Sequence, residues 1–111
     1  MATVTNLYID QGTDFNAILT ITNPNGTVMD LSGFTVVSQF RKSYQSSTAV
    51  NFTASIYDAE AGKILLHLDP EDTTDIKAGR YLYDVEVTSL TNIRFRVLEG
   101  IVVITPEITR I

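Results

Sequence analysis

The chain has 111 residues and a mass of 12.3 kDa, the size of one ordinary domain, which excludes a two-domain enzyme. Hydrophobic residues make up 44% and charged residues 19%, with only 6 Gly and 3 Pro, so disordered, collagen-like and linker compositions are excluded too. The absence of Cys removes disulfide scaffolds, zinc ribbons and thiol nucleophiles, 1 His removes His-rich metal sites, and a net charge of −5 has the wrong sign for binding nucleic acid through its phosphates.

The first ten residues lack the basic and apolar segments of a secretory signal, and no run reaches the roughly 18 apolar residues of a membrane span. The expectation is a soluble protein with no membrane or nucleic-acid partner. Val, Ile and Thr supply 36 of the 111 residues, and 5 Tyr and 5 Phe add to them, the composition that pleated sheets favour. Around Leu7 and Ile9 a short strand alternates apolar with polar until Gln11-Gly12 interrupts it. Phe15, Ala17, Leu19 and Ile21 recur at a period of two and predict a second strand with those side chains buried. Asn23-Pro24-Asn25-Gly26 predicts a tight turn, with Gly26 at positive φ, and Gly33 ends a second turn that opens with Asp30.

A third alternation follows, with Phe34, Val36 and Phe40 facing inward. Residues 42–48 are too polar to order themselves strongly and predict a mobile loop. Phe52, Ala54 and Ile56, then Ile64, Leu66 and Leu68, predict a hairpin turned by Glu60-Ala61-Gly62. Residues 69–76 break the strand period. Asp69 suits a helix N-cap, Pro70 the first helical position and the acids the first turn, so one short helical turn is expected near 70–76. Gly79 releases the chain into the clearest alternation, Tyr81, Tyr83, Val85 and Val87 against Arg80, Leu82, Asp84 and Glu86. Thr91-Asn92 turns it into a last long strand in which Glu99-Gly100 suggests a bulge. Seven or eight short strands with such turn spacing predict an all-β, immunoglobulin-like two-sheet sandwich forming one domain over 1–111, with 1–6 and 105–111 as extended termini. The core is predicted to include Phe15, Leu19, Phe34, Ile56, Val97 and Val102 besides the inward residues above.

Candidate chemistry is sparse. His67 shares a strand face with Lys63 and Leu65, opposite Ile64, Leu66 and Leu68, and reads as a solvent-facing sheet residue, since a catalytic imidazole needs both a nucleophile and an orienting acid and the sequence assembles no such set around it. Asp69, Glu71, Asp72 and Asp75 are the candidate cation ligands, but they lack the ligand alternation and central Gly of a calcium loop, and helix capping explains them. Asp84 and Glu86 pair more simply with Arg94 and Arg96 across one turn than with each other as catalytic carboxylates. Tyr8, Tyr44 and Tyr57, with Arg41-Lys42, are the residues from which an aromatic binding strip would have to be built. In Asp75-Ile76-Lys77-Ala78-Gly79-Arg80-Tyr81, the acidic and small residues ahead of Tyr81 match the corner of sandwich domains, where a Tyr hydroxyl bonds back to the upstream backbone. The structural positions singled out are therefore Tyr81, Gly79, Asn25, Gly26 and Gly33.

The segments Ile9-Asp10-Gln11-Gly12-Thr13, Asn25-Gly26-Thr27-Val28-Met29-Asp30-Leu31-Ser32-Gly33-Phe34 and Gln39-Phe40-Arg41-Lys42, with residues 78–86 and 99–109, are similar to the small immunoglobulin-like domains of tailed-bacteriophage virion proteins. They resemble especially the amino-terminal domain of upper baseplate proteins and related tail or neck proteins. Ser32 stands where those domains carry Thr, and Asn25 where they carry Asp. The resemblance implies a non-enzymatic structural role in a virion, without catalytic residues or cofactors and with other virion proteins or further copies as partners. A carbohydrate-binding module and a host-directed regulatory phage protein are the rival expectations.

Overall fold

The computed structural model describes residues 3–109. Along them the alternating segments become β1 (Thr3–Val4), β2 (Leu7–Asp10), β3 (Phe15–Thr20), β4 (Thr35–Arg41), β5 (Val50–Asn51), β6 (Thr53–Asp58) and β7 (Lys63–Leu68). A one-turn helix α1 (Pro70–Thr74) precedes the two longest strands, β8 (Gly79–Thr88) and β9 (Arg94–Thr105). The larger sheet runs β1-β9-β8-β4-β5, with β2 also paired to β9, and the smaller runs β3-β7-β6. Two separate sheets that draw their strands from the chain in this interleaved order form an immunoglobulin-like β-sandwich.

Because side chains alternate across a strand, each sheet gives one face to the core. Ile64, Leu66 and Leu68 of β7 are buried opposite Val36 and Phe40 of β4, Val85 and Val87 of β8, and Val102 and Ile104 of β9. Rings from both sheets meet at the centre. Phe40 lies 5.1 Å from Phe52 and 5.3 Å from Tyr81, and Phe15 lies 5.8 Å from Phe52, centroid to centroid; the Phe40–Tyr81 pair is edge-to-face, as aromatic quadrupoles favour, and the other two are tilted. Phe15, Leu19, Phe34, Ile56 and Tyr81 are half-buried against this core, and the other predicted core residues are buried or packed on it.

β1 and β2 are one parallel edge strand in a single register along β9, Thr3 beside Leu98 and Asp10 beside Thr105, interrupted at Thr5-Asn6. The Asn6 side chain accepts from the Ile101 amide at 3.1 Å and bridges the interruption. Residues 3–6 of the expected N-terminal extension therefore lie against the domain. On the other side the Glu107 amide donates to Gln11 Oε1 at 3.1 Å, while Gln11 Nε2 donates to the Ile76 carbonyl at 2.9 Å. Residues 1–2 and 110–111 of the expected termini lie outside the described residues.

The bulge expected at Glu99-Gly100 sits elsewhere. Val85 pairs Leu98 and Glu86 pairs Arg96, so Val97 is the extra residue, and both Val97 and Leu98 turn inward. Gly100 is required for another reason: a Cβ there would lie 2.2 Å from the Thr5 carbonyl oxygen. The short helix is pinned by Thr73, which is fully buried and donates from Oγ1 to the Thr13 carbonyl at 2.8 Å, and by buried Ile76.

Candidate functional site

The outer face of the larger sheet is the most elaborate surface of the molecule. Period two places Val37, Gln39 and Arg41 of β4 there, with Leu82, Asp84 and Glu86 of β8 and Arg96, Glu99 and Ile101 of β9. Along a shallow groove of about 570 Å³, Val4 (67% exposed), Val37 (59%) and Tyr44 (83%) surround half-buried Leu82 and Ile101. Single exposed apolar residues are ordinary, whereas here three of them border one groove.

A charged ladder crosses this face. Arg96 Nε lies 3.3 Å from Asp84 Oδ2 and its Nη1 3.7 Å from Glu99 Oε1, while Arg94 Nε lies 4.0 Å from Glu86 Oε1. The pairing is diagonal because the register places Glu99 directly opposite Asp84 and Arg96 opposite Glu86. Partial burial pushes the Asp84 carboxyl above the usual carboxylate range, and the neighbouring carboxylates of Glu86 and Glu99 act in the same direction. Arg96 and Arg41 oppose this without cancelling it. Beneath the face, buried Ser38 donates from Oγ to the Asp84 carbonyl at 2.6 Å and fixes β4 against β8.

The residues singled out from sequence take distinct places. Tyr81 Oη donates to the Lys77 carbonyl four residues upstream at 2.6 Å, the geometry of a sandwich corner, and the Lys42 ammonium sits 4.8 Å from its ring centroid. Gly79 has φ +140° and faces Lys42 Nζ. Asn25 Oδ1 accepts from the Thr27 amide at 3.1 Å and the Thr27 hydroxyl at 2.7 Å, and Gly26 and Gly33 hold φ of +89° and +79°, where L side chains are strained. Asp30 Oδ1 accepts from Ser32 N at 2.9 Å and Ser32 Oγ at 2.6 Å, and these bonds hold its own carboxyl below the usual range.

Of the four helix acids, Asp72 accepts from the Asp69 amide at 3.4 Å, and Glu71, Asp72 and Asp75 join no cluster of metal-ligating atoms among the described residues. Asp69 does, with His67 and Asp14. Tyr8 stands on β2 of the larger sheet, Tyr57 on β6 of the smaller and Tyr44 on the loop after β4, so the three tyrosines share no platform.

Sequence reasoning placed Tyr83 in the core but missed the contact its hydroxyl makes. Its ring is buried and its Oη donates to the Thr5 carbonyl at 2.5 Å, across 78 residues. Burial pushes the Tyr83 phenol up to about 12. Its alternation with Tyr81 marked it as a core residue, but nothing local in sequence told where the hydroxyl would go.

These observations define an immunoglobulin-like domain with a grooved, charge-laddered outer face on one sheet. No protein-family model matches the chain, and no curated protein is similar to it in sequence. Among solved structures, an internalin-like protein of Listeria monocytogenes is similar over 96% of this chain and 28% of its own length, with 16% identity and a TM-score of 0.46.

Proposed function

We propose that this domain is a non-enzymatic structural component of a tailed-bacteriophage virion, an adaptor or decoration element of the tail, baseplate or neck, made in the host cytoplasm and retained in the particle. The observation that carries this reading is the outer face of the larger sheet, where exposed Val4, Val37 and Tyr44 surround a ladder of both charge signs. Such a face buries apolar area in a neighbour while the ladder sets register and suppresses wrong partners. The partner is another virion protein or a further copy of the chain, over an interface on the order of 1,200–2,000 Å².

The segments that resemble virion domains perform folding tasks in this chain: Gln11 ties residues 76 and 107 together, and Asp30 to Gly33 forms the turn into Phe34 and β4. That is what a scaffold carrying variable contact faces requires. A carbohydrate-binding reading is not favoured, since the exposed tyrosines are spread over different elements. Quantitative mass spectrometry of purified particles of the encoding phage tests the assignment. Many copies per particle are expected, and absence from the particle with abundance in the infected-cell extract would overturn it.

A further inference from the structure

Two segments distant in sequence converge beside the smaller sheet: the turn between β2 and β3, and the stretch that runs from the end of β7 to the residue opening α1. They bring together Asp14, His67 and Asp69, whose candidate ligand atoms all lie within 4.8 Å of one another. We propose that these three side chains form a binding site for one divalent transition-metal ion of the zinc class. The site is independent of the assembly role proposed above.

The donor set is defined by the imidazole. Its Nδ1 lies 2.7 Å from Asn16 Oδ1, an oxygen that only accepts, so Nδ1 keeps its hydrogen and Nε2 is the ligating nitrogen. In the ion-free site Nε2 is hydrogen-bonded to Asp69 Oδ1, 2.8 Å away, with the Asp14 carboxylate alongside, so an ion takes the place of the proton held between Nε2 and Asp69 and that proton is released to solvent. One neutral nitrogen and two carboxylates suit zinc and its first-row neighbours, whereas calcium and magnesium favour oxygen alone. Ion–ligand distances of about 2.0–2.2 Å in a tetrahedron need donors about 3.3 Å apart, so binding opens the Nε2 to Oδ1 gap by about 0.5 Å and draws the exposed Asp14 carboxylate in from a separation of at most 4.8 Å. Water completes the coordination, as the carboxylates are exposed.

Each ligand is held by a different rigid device. His67 pairs directly with Asn16 across β7 and β3, and Asn16 supplies the outer-shell acceptor that metal-bound imidazoles usually have. Asp69 is set in extended geometry immediately before Pro70, with its amide bonded to Asp72. Asp14 follows Thr13, whose carbonyl receives the buried Thr73 hydroxyl and whose own hydroxyl donates to the Asp10 carbonyl at 2.7 Å. An ion at this point ties the entry of β3, the end of β7 and the start of α1 together.

The composition makes the test unambiguous, because the chain has 1 His and no Cys to compete for the ion. Zinc is titrated into the full chain at pH 7.5 in a non-chelating buffer, with heat of binding and the His67 ring resonances followed together. The expected result is one ion per chain at micromolar zinc, displacement of the His67 signals, and a thermal midpoint that rises with zinc concentration. His67→Asn should weaken binding by at least about 100-fold, and Asn16→Ala, a positioning change, by about tenfold. Circular dichroism of each variant checks that the sandwich is intact. Absence of binding below millimolar zinc, unchanged affinity in His67→Asn, or equal competition by magnesium would overturn the proposal.

Discussion

Two tyrosines on one strand face illustrate how a single oxygen anchors a long-range contact. Tyr81 closes a local corner on Lys77, whereas Tyr83 reaches the N-terminal edge strand at Thr5. Replacing either with Phe removes a hydrogen bond worth about 0.5–1.5 kcal/mol and keeps the ring. We therefore expect both variants to lower the urea midpoint, with only Tyr83→Phe accelerating amide exchange at Thr5, whose amide donates to the Glu99 carbonyl. An unchanged midpoint in Tyr83→Phe would mean that its hydroxyl does not hold β1. Asp84 gives a second test at this scale. Its folded carboxyl titrates above the ordinary 3.8, so its contribution to stability is fully present below the unfolded value and is lost as pH rises through the folded one. The stability of Asp84→Asn relative to the parent should accordingly improve across that rise. A carboxyl-carbon titration midpoint at or below 3.8 would contradict the burial argument.

At the scale of elements, the parallel edge strand depends on close approach. Gly100 faces the Thr5 carbonyl with no space for a methyl group, while Gly26 faces open solvent and needs only its positive φ. Gly100→Ala should cost about 1–3 kcal/mol by overpacking and detach β1, and should exceed the loss in Gly26→Ala when both are measured by urea denaturation. Equal losses would show that β1 is not seated where described. The same contrast shows what sequence patterning carries. Alternation from Tyr81 to Val87 located β8 because period two is a local property, and Asp69-Pro70 located α1 because capping is local as well. Leu31 and Ile76 are buried from turns, where no period exists to reveal them. The Gly100 contact, the Val97 bulge and the meeting of Asp14 with His67 all depend on pairing between distant segments. Helix acids adjacent in sequence drew attention as ligands, whereas the convergent group takes only Asp69 from them.

For the whole molecule, the sandwich buries its aromatic centre and leaves one sheet with a broad outer face of mixed charge. Val37 is 59% exposed and lies directly opposite Glu86 in the register, so Lys at that position gains a cross-strand partner while placing a charge at the apolar part of the face. The sandwich should tolerate the change, with a urea midpoint within about 0.5 kcal/mol of the parent. The assembly proposed for that face should not. The most direct measurement is the copy number of the Val37→Lys protein in particles from a phage carrying only that allele, with the purified domain's urea midpoint measured in parallel. Loss of at least nine-tenths of the normal copies from particles, or no particles at all, with an unchanged midpoint is the predicted result, and normal incorporation would contradict an assembly role for this face.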